Sequence, residues 1–344
     1  MNGQLLRFSD ASRPAQKTIN ETHPAMDFLK IRHELIILRR RIVQIESTHG
    51  ERDKLPDLRK QAQALESKLA DAPPDPILSP SAPLVKVTGV LEEFHWQRVL
   101  HYFDPEAYPQ THGYFTRQQE RVAKAAVVVA AAGQGAAAQG MVAGGNRLKT
   151  CAWYVTGRIN GIRFSGWLGR CFCKPGEVVE LVVAQAGDEY LVYALAKPEE
   201  RSISMTPCSY RGKRQARWKG TWFWLGILLF AVFLILCTAV FQDGLKMLLN
   251  LSLYETIFTG FGIGGSVILG PALYSVWRRH PFPQEDLAEE IFTVMGWKKV
   301  TDINLGKLNR RRKRQWKRTG IPANPFRDQT PFSYTGWGRW FYYY

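Results

Sequence analysis

Apolar residues recur at Ile31, Leu35, Leu38, Ile42 and Ile45, at spacings of 4, 3, 4 and 3, which is the seam of a coiled coil. Beyond His49-Gly50 the spacing returns at Leu58, Ala62, Leu65 and Leu69, with Pro56 near a first helical turn. Residues 25–72 therefore read as a coiled-coil helical hairpin, closed on itself or paired with another copy, after a polar stretch over 1–24. Five prolines between Ala70 and Pro83 make 73–83 a stiff linker.

From residue 84 the period changes from helical to two. Leu84–Phe94 alternates as a strand, and Val99–Phe103 continues it or pairs with it. Cys151–Ile159 and Ile162–Leu168 flank Asn160-Gly161, the strongest two-residue hairpin signal. Glu177–Ala184 and Tyr190–Ala196 form a second hairpin. Five strands over 84–200 suit a small barrel of the OB or SH3-like kind, and the pattern does not choose between the two. An insertion over 104–147 interrupts it. There Thr116-Arg117-Gln118-Gln119 has the arrangement of a capping box, and Ala125–Asn146 holds 22 uncharged residues, mostly Ala and Gly. That segment reads first as a packed or flexible helical hairpin, and second as a segment that inserts into lipid.

Two long apolar runs change the class. Thr221–Phe241 is 21 residues without a charge, enough to cross about 30 Å of hydrocarbon as a helix. Thr256–Trp277 is a second uncharged run of 22 residues, followed by Arg278 and Arg279. The sequence thus predicts spans at 220–241 and 256–277 and a short outer loop at 242–255. Lys and Arg are dense in the juxtamembrane segment 201–219 and after the second span, so both termini are placed in the cytoplasm of a two-span inner-membrane protein. No apolar signal-peptide core precedes these segments. Gly260 and Gly264 form a G-x-x-x-G pair suited to helix packing or self-association within the membrane.

Residues 278–308 include QEDLAEEIFTVMGWKK, whose Leu287, Ile291, Val294 and Met295 form the apolar stripe of a short helix. The tail, 309–344, is polybasic and then aromatic. Arg310, Arg311, Arg312, Lys313, Arg314, Lys317 and Arg318 are the densest charge on the chain. The 344 residues carry 46 Lys and Arg against 30 Asp and Glu, a net charge of +16, which calls for an anionic neighbour. On a chain held at a bilayer that neighbour is phospholipid, and nucleic acid is the weaker reading.

Chemistry is hard to find. The seven histidines make no H-E-x-x-H, and there is no G-x-S-x-G elbow or Walker A loop. Cys171-x-Cys173 is too tight for a zinc pair and reads as two residues on one strand face. Glu92, Glu93, His95 and His101 are the nearest approach to an acid-base cluster and read as a solvated face. No catalytic residue, metal ligand or cofactor is assigned, and the chain reads as no enzyme.

Ala196-Lys197-Pro198-Glu199-Glu200-Arg201, then Ser204-Met205-Thr206-Pro207-Cys208-Ser209-Tyr210-Arg211-Gly212, resembles a bacterial family of candidate type VI secretion system effectors. In that family a G-x-v-x-x-F strand, an Ala/Gly-rich insertion, a barrel, an A-x-P-x-x-R segment, a C-S-R-G-like motif, two spans and an A-E-x-I-F-x-x-x-G-W core follow in this order. Here Gly89–Phe94, Ala288–Trp297 and the order match, over about residues 84–300. The chain departs at Ser209-Tyr210-Arg211-Gly212, where one residue is inserted, and in its N-terminal hairpin and aromatic tail. The resemblance implies a secretion association, with secretion-system components as partners.

The expected fold class is thus an α+β membrane protein: N-terminal helical hairpin, five-stranded barrel with an Ala/Gly-rich insertion, a two-helix transmembrane hairpin and a basic, aromatic tail. The expected function is that of a membrane-anchored effector acting by insertion or pore formation. The alternative is a resident inner-membrane adaptor that recruits partners through its coiled coil, barrel and tail.

Overall fold

The computed structural model describes residues 25–48, 52–131, 133, 147–171, 173–243, 270–271, 273–274, 277, 283–320 and 340–344. Helices α1 (Phe28–Thr48) and α2 (Leu55–Ala70) lead into strand β1 (Val85–His101). Helix α3 (His112–Ala131) rises from the insertion, and β2 (Thr150–Ile159), β3 (Ile162–Leu168), β4 (Val178–Ala186), β5 (Glu189–Lys197) and β6 (Ser202–Met205) follow. Helices α4 (Lys213–Asp243), α5 (Pro283–Val294) and α6 (Leu305–Arg318) precede a last strand, β7 (Phe341–Tyr343).

The hairpin helices are antiparallel, because Arg39 bonds Glu66 at 2.8 Å while Arg59 bonds Glu46 at 2.7 Å. Leu35 and Ile45 are buried with Leu58 and Ala62, so the apolar seam is satisfied within one chain. The coiled coil is corrected accordingly to a closed two-helix hairpin. Asp27 fastens it to the sheet: its Oδ1 caps α1 at the Lys30 amide, 3.0 Å, and its carboxylate takes Lys149 Nζ at 2.7 Å.

The expectation of only five strands is corrected: the sheet has seven, in the order β3-β2-β1-β4-β5-β6-β7, with every pair of neighbours in that order antiparallel. The two expected pieces, Leu84–Phe94 and Val99–Phe103, are largely one 17-residue strand, which pairs with β2 without a break from Glu93 to His101 and shifts register between Leu91 and Glu93. The sheet also curls: β3 pairs in parallel with β5 through Phe164, Ser165 and Gly166, closing β1–β5 into a ring. That closure depends on Gly166, since a Cβ there would sit 2.3 Å from the Val192 carbonyl oxygen. Asn160 and Gly161 both have positive φ, as a type I′ turn requires.

Two cores result. Inside the ring, Leu91, Trp153, Val155, Phe164, Leu181 and Leu195 pack together. Outside it, Val182, Ala194, Ile203 and Met205 are covered by Leu287, Ile291 and Phe292 of α5, by Leu305 of α6 and by Tyr342 of β7.

The transmembrane expectation is overturned. Among the described residues no helix is long and apolar enough to cross a membrane, and the two-span inner-membrane location is withdrawn with it. The helix carrying the first apolar run starts earlier, at Lys213, and its opening turns belong to the folded unit. The Lys213 amide donates to Glu289 at 2.6 Å, Arg214 reaches Asp302 at 3.3 Å, and Ala216 is buried. Most of 256–277 lies outside the described residues, Gly260 and Gly264 among them; Trp277 packs beside α4, donating to Thr221 Oγ1 at 2.9 Å. The helix of the insertion also starts before the expected capping box. It begins at His112, and Thr116 donates to the His112 carbonyl from inside the helix. Residues 134–146 lie outside the described residues.

Candidate functional site

Helix α6 contains no acidic residue, and the fold decides which of its cations meet solvent. Asn304 caps it, accepting from the Lys307 amide at 3.1 Å. Leu305 is fully buried, and Trp316 meets the Tyr343 ring edge-on at 5.0 Å. Asn309 Oδ1 accepts from the Tyr343 amide at 3.4 Å. With that face turned inward, Lys307, Arg310, Arg311, Arg314, Lys317 and Arg318 lie on the exposed side. Residues 307, 311, 314 and 318 repeat at 4, 3 and 4, so they stack in one row along the helix. None of Arg310, Arg311, Arg314, Lys317 and Arg318 forms an ion pair among the described residues. Lys307, Arg310, Arg311, Arg314 and Arg318 line one open groove with Gln315.

Two of the seven basic residues picked out by charge density behave differently. Arg312 and Lys313 are half-buried, with the Arg312 guanidinium 5.6 Å from the Trp316 ring centre. Burial pushes the Lys313 ammonium down to about 8. A charge count cannot separate these two from their neighbours; the position of Trp316 in the helical repeat can.

The first turns of α4 and α6 touch, Lys307 Nζ donating to Gln215 Oε1 at 2.8 Å. This joins the start of the cationic row to a helix that carries exposed indoles: Trp218, Trp222 and Trp277, which packs on it, are 41%, 66% and 40% exposed, and the Trp218 and Trp277 rings meet edge-on at 5.9 Å. Cations flanked by exposed Trp are the arrangement found where a protein surface meets lipid headgroups.

The motif Ser204–Gly212 is a structural junction. Thr206 bonds the Tyr193 carbonyl through both its amide and its hydroxyl, at 2.9 Å each. Ser209 Oγ lies 3.2 Å from the buried Tyr108 hydroxyl, and the Leu305 amide donates to the Tyr210 carbonyl at 3.0 Å. Cys208 has a left-handed backbone, φ 69°. Burial pushes its thiol up to about 12, so it stays protonated at neutral pH and is a poor nucleophile.

The four acid-base candidates do not converge. Glu92 accepts from the Gly161 amide, Glu93 faces Arg158 at 3.9 Å, His95 is exposed, and His101 lies 3.5 Å from Asp75. The proline-rich linker is no free spacer: Leu78 is buried, and Pro74–Leu78 lie against Tyr154, Trp167 and Tyr193. Of the aromatic tail, residues 340–344 are likewise built into the fold, with β7 paired to β6, and 321–339 lie outside the described residues. Among the described residues no three His, Cys, Asp or Glu side chains gather as metal ligands. Cys171 and Cys173 lie in the β3–β4 connection instead of on a strand. No known protein family, characterised protein or solved structure matches the chain, and nothing there supports the expected link to a secretion system.

Proposed function

We propose that this protein is a non-enzymatic adaptor that docks on the surface of anionic lipid through α6, leaving its sheet and helical hairpin to face partners. The observation that carries the reading is the row Lys307, Arg311, Arg314 and Arg318, flanked by Arg310 and Lys317, which the fold holds outward with no carboxylate partner for the arginines among the described residues. Each basic residue at such a surface contributes about 1 kcal/mol. Lipid is favoured over nucleic acid because the aromatic rings differ in placement. Exposed Trp218 and Trp222 lie on α4, whose first turn touches that of α6, whereas Trp316 and Trp167, which could stack on bases, are buried. Attachment in this reading is peripheral and needs no spanning helix.

The test is co-sedimentation of the full chain with vesicles of phosphatidylglycerol and phosphatidylcholine, beside vesicles of phosphatidylcholine alone. Binding is expected only to the anionic vesicles, and the combined change Arg310→Gln, Arg311→Gln, Arg314→Gln and Arg318→Gln should weaken it by about 4 kcal/mol, roughly a thousandfold. Equal binding to both vesicles, no effect of the four changes, or tighter binding to duplex DNA at the same salt would overturn the proposal.

A further inference from the structure

The connection from β3 to β4 holds two thiols in contact. Cys171 Sγ and Cys173 Sγ are 3.5 Å apart, close to van der Waals separation. Cys171 is buried against the core inside the ring, and Cys173 is half-buried. The connection is pinned at both ends. The Gly169 amide donates to Met205 at 2.8 Å, the Gly176 amide to Leu91 at 2.7 Å and the Leu91 amide to Glu177 at 2.9 Å. Lys197, 7% exposed, adds a third fastening, 2.6 Å from Glu177 and 3.3 Å from Glu200. The two sulfurs thus lie between fixed ends of the connection, and Cys151, Cys208 and Cys237 lie elsewhere in the chain.

We propose that Cys171 and Cys173 form a reversible intramolecular disulfide, with a low-molecular-weight disulfide as the oxidant. The more accessible Cys173, as its thiolate, attacks one sulfur of the small disulfide. The S–S bond breaks, one small thiol leaves with a proton, and a mixed disulfide remains on Cys173. Cys171 then loses its proton and attacks the Cys173 sulfur, expelling the second small thiol. Two protein thiols are oxidised and one small disulfide is reduced to two thiols, so atoms and electrons balance. A resident metal fits the pair poorly. Two sulfurs leave a zinc ion half-coordinated, and among the described residues no third ligand joins them. Because the bridge would close a loop of only three residues, it restricts the unfolded chain little. It acts as a reversible modification of the β3–β4 connection and not as a structural staple.

The test uses the full chain equilibrated with oxidised glutathione, alkylated, digested and mapped by mass. The peptide bearing Cys171 and Cys173 should escape alkylation, lose the mass of two hydrogens and regain both on reduction with dithiothreitol. Alkylation of both thiols after equilibration would overturn the proposal, as would glutathione retained on Cys173 beside a free Cys171. The change Cys171→Ser should convert the product to a stable glutathione adduct at Cys173; an unmodified Cys173 in a folded variant argues against that residue as the entry point and equally overturns the sequence of steps.

Discussion

Arg211 Nε lies 3.2 Å from Glu285 Oε1, joining the turn after β6 to the first turn of α5 across 74 residues of sequence. Glu285 is 1% exposed, and its second oxygen, Oε2, has no partner among the described residues. Burial holds this carboxyl above its usual range despite the guanidinium beside it.

Arg211→Met should cost about 3–5 kcal/mol at neutral pH, because it leaves a buried carboxylate without its cation. A carboxyl whose folded pKa is raised favours the fold at low pH and loses that contribution as pH rises through the folded value. Without Arg211 that value climbs further, so the deficit should shrink on acidification. Urea unfolding of both proteins at neutral and mildly acidic pH checks the sign; a deficit that grows on acidification refutes it.

Lys313 should behave in the opposite sense. Its folded pKa, about 8, lies below the ordinary 10.5, so its charge opposes folding at pH 7 and that cost fades as pH rises through the window from about 8 to 10.5. Lys313→Met should raise stability by about 1–3 kcal/mol at pH 7, with the gap from the parent protein closing toward pH 10.5. Thermal melts across that range measure it. The same change should leave vesicle binding intact, unlike changes at Arg314 or Arg318.

Gly166→Ala should destabilise the protein by about 1–3 kcal/mol, since the new methyl meets the Val192 backbone where β3 closes on β5. Hydrogen exchange at residues 164–166 and 190–192 should speed up before that of the β1–β2 ladder. Equal protection in both places would show that the parallel pair does not hold the ring shut.

Tyr343→Ala removes a fully buried ring that packs on Trp316, and should cost about 3–5 kcal/mol. It should also loosen α6, so vesicle binding would weaken although no charge has changed. Denaturant unfolding and co-sedimentation on the same variant separate the two effects.

Local signals in the sequence carried the local structure. Asn160-Gly161 marks its hairpin because only a few residues accept positive φ, and the 4, 3, 4 spacing of Leu58, Ala62, Leu65 and Leu69 marks one face of α2. What depends on distant partners was hidden. Nothing near Gly166 announces the Val192 carbonyl, and three aromatic residues give no alternation from which to read β7. The apolar run after Lys213 suggested a spanning helix because composition does not reveal that the same helix begins inside the folded unit. At the candidate site the basic residues were legible as a block. Their division into an outer row and an inner pair was not, because it is set by Trp316 meeting Tyr343.

The pairing of β7 with β6 also orders events during synthesis. Ser202, Ile203 and Ser204 meet their partners Tyr343, Tyr342 and Phe341 only after well over a hundred further residues have been made. While the ribosome still holds the last strand, the outer core lacks Tyr342, and α6 lacks the Tyr343 ring on which Trp316 rests. The cationic row therefore takes its final orientation only after translation has passed residue 343, so a nascent chain would not present the surface that the finished protein does.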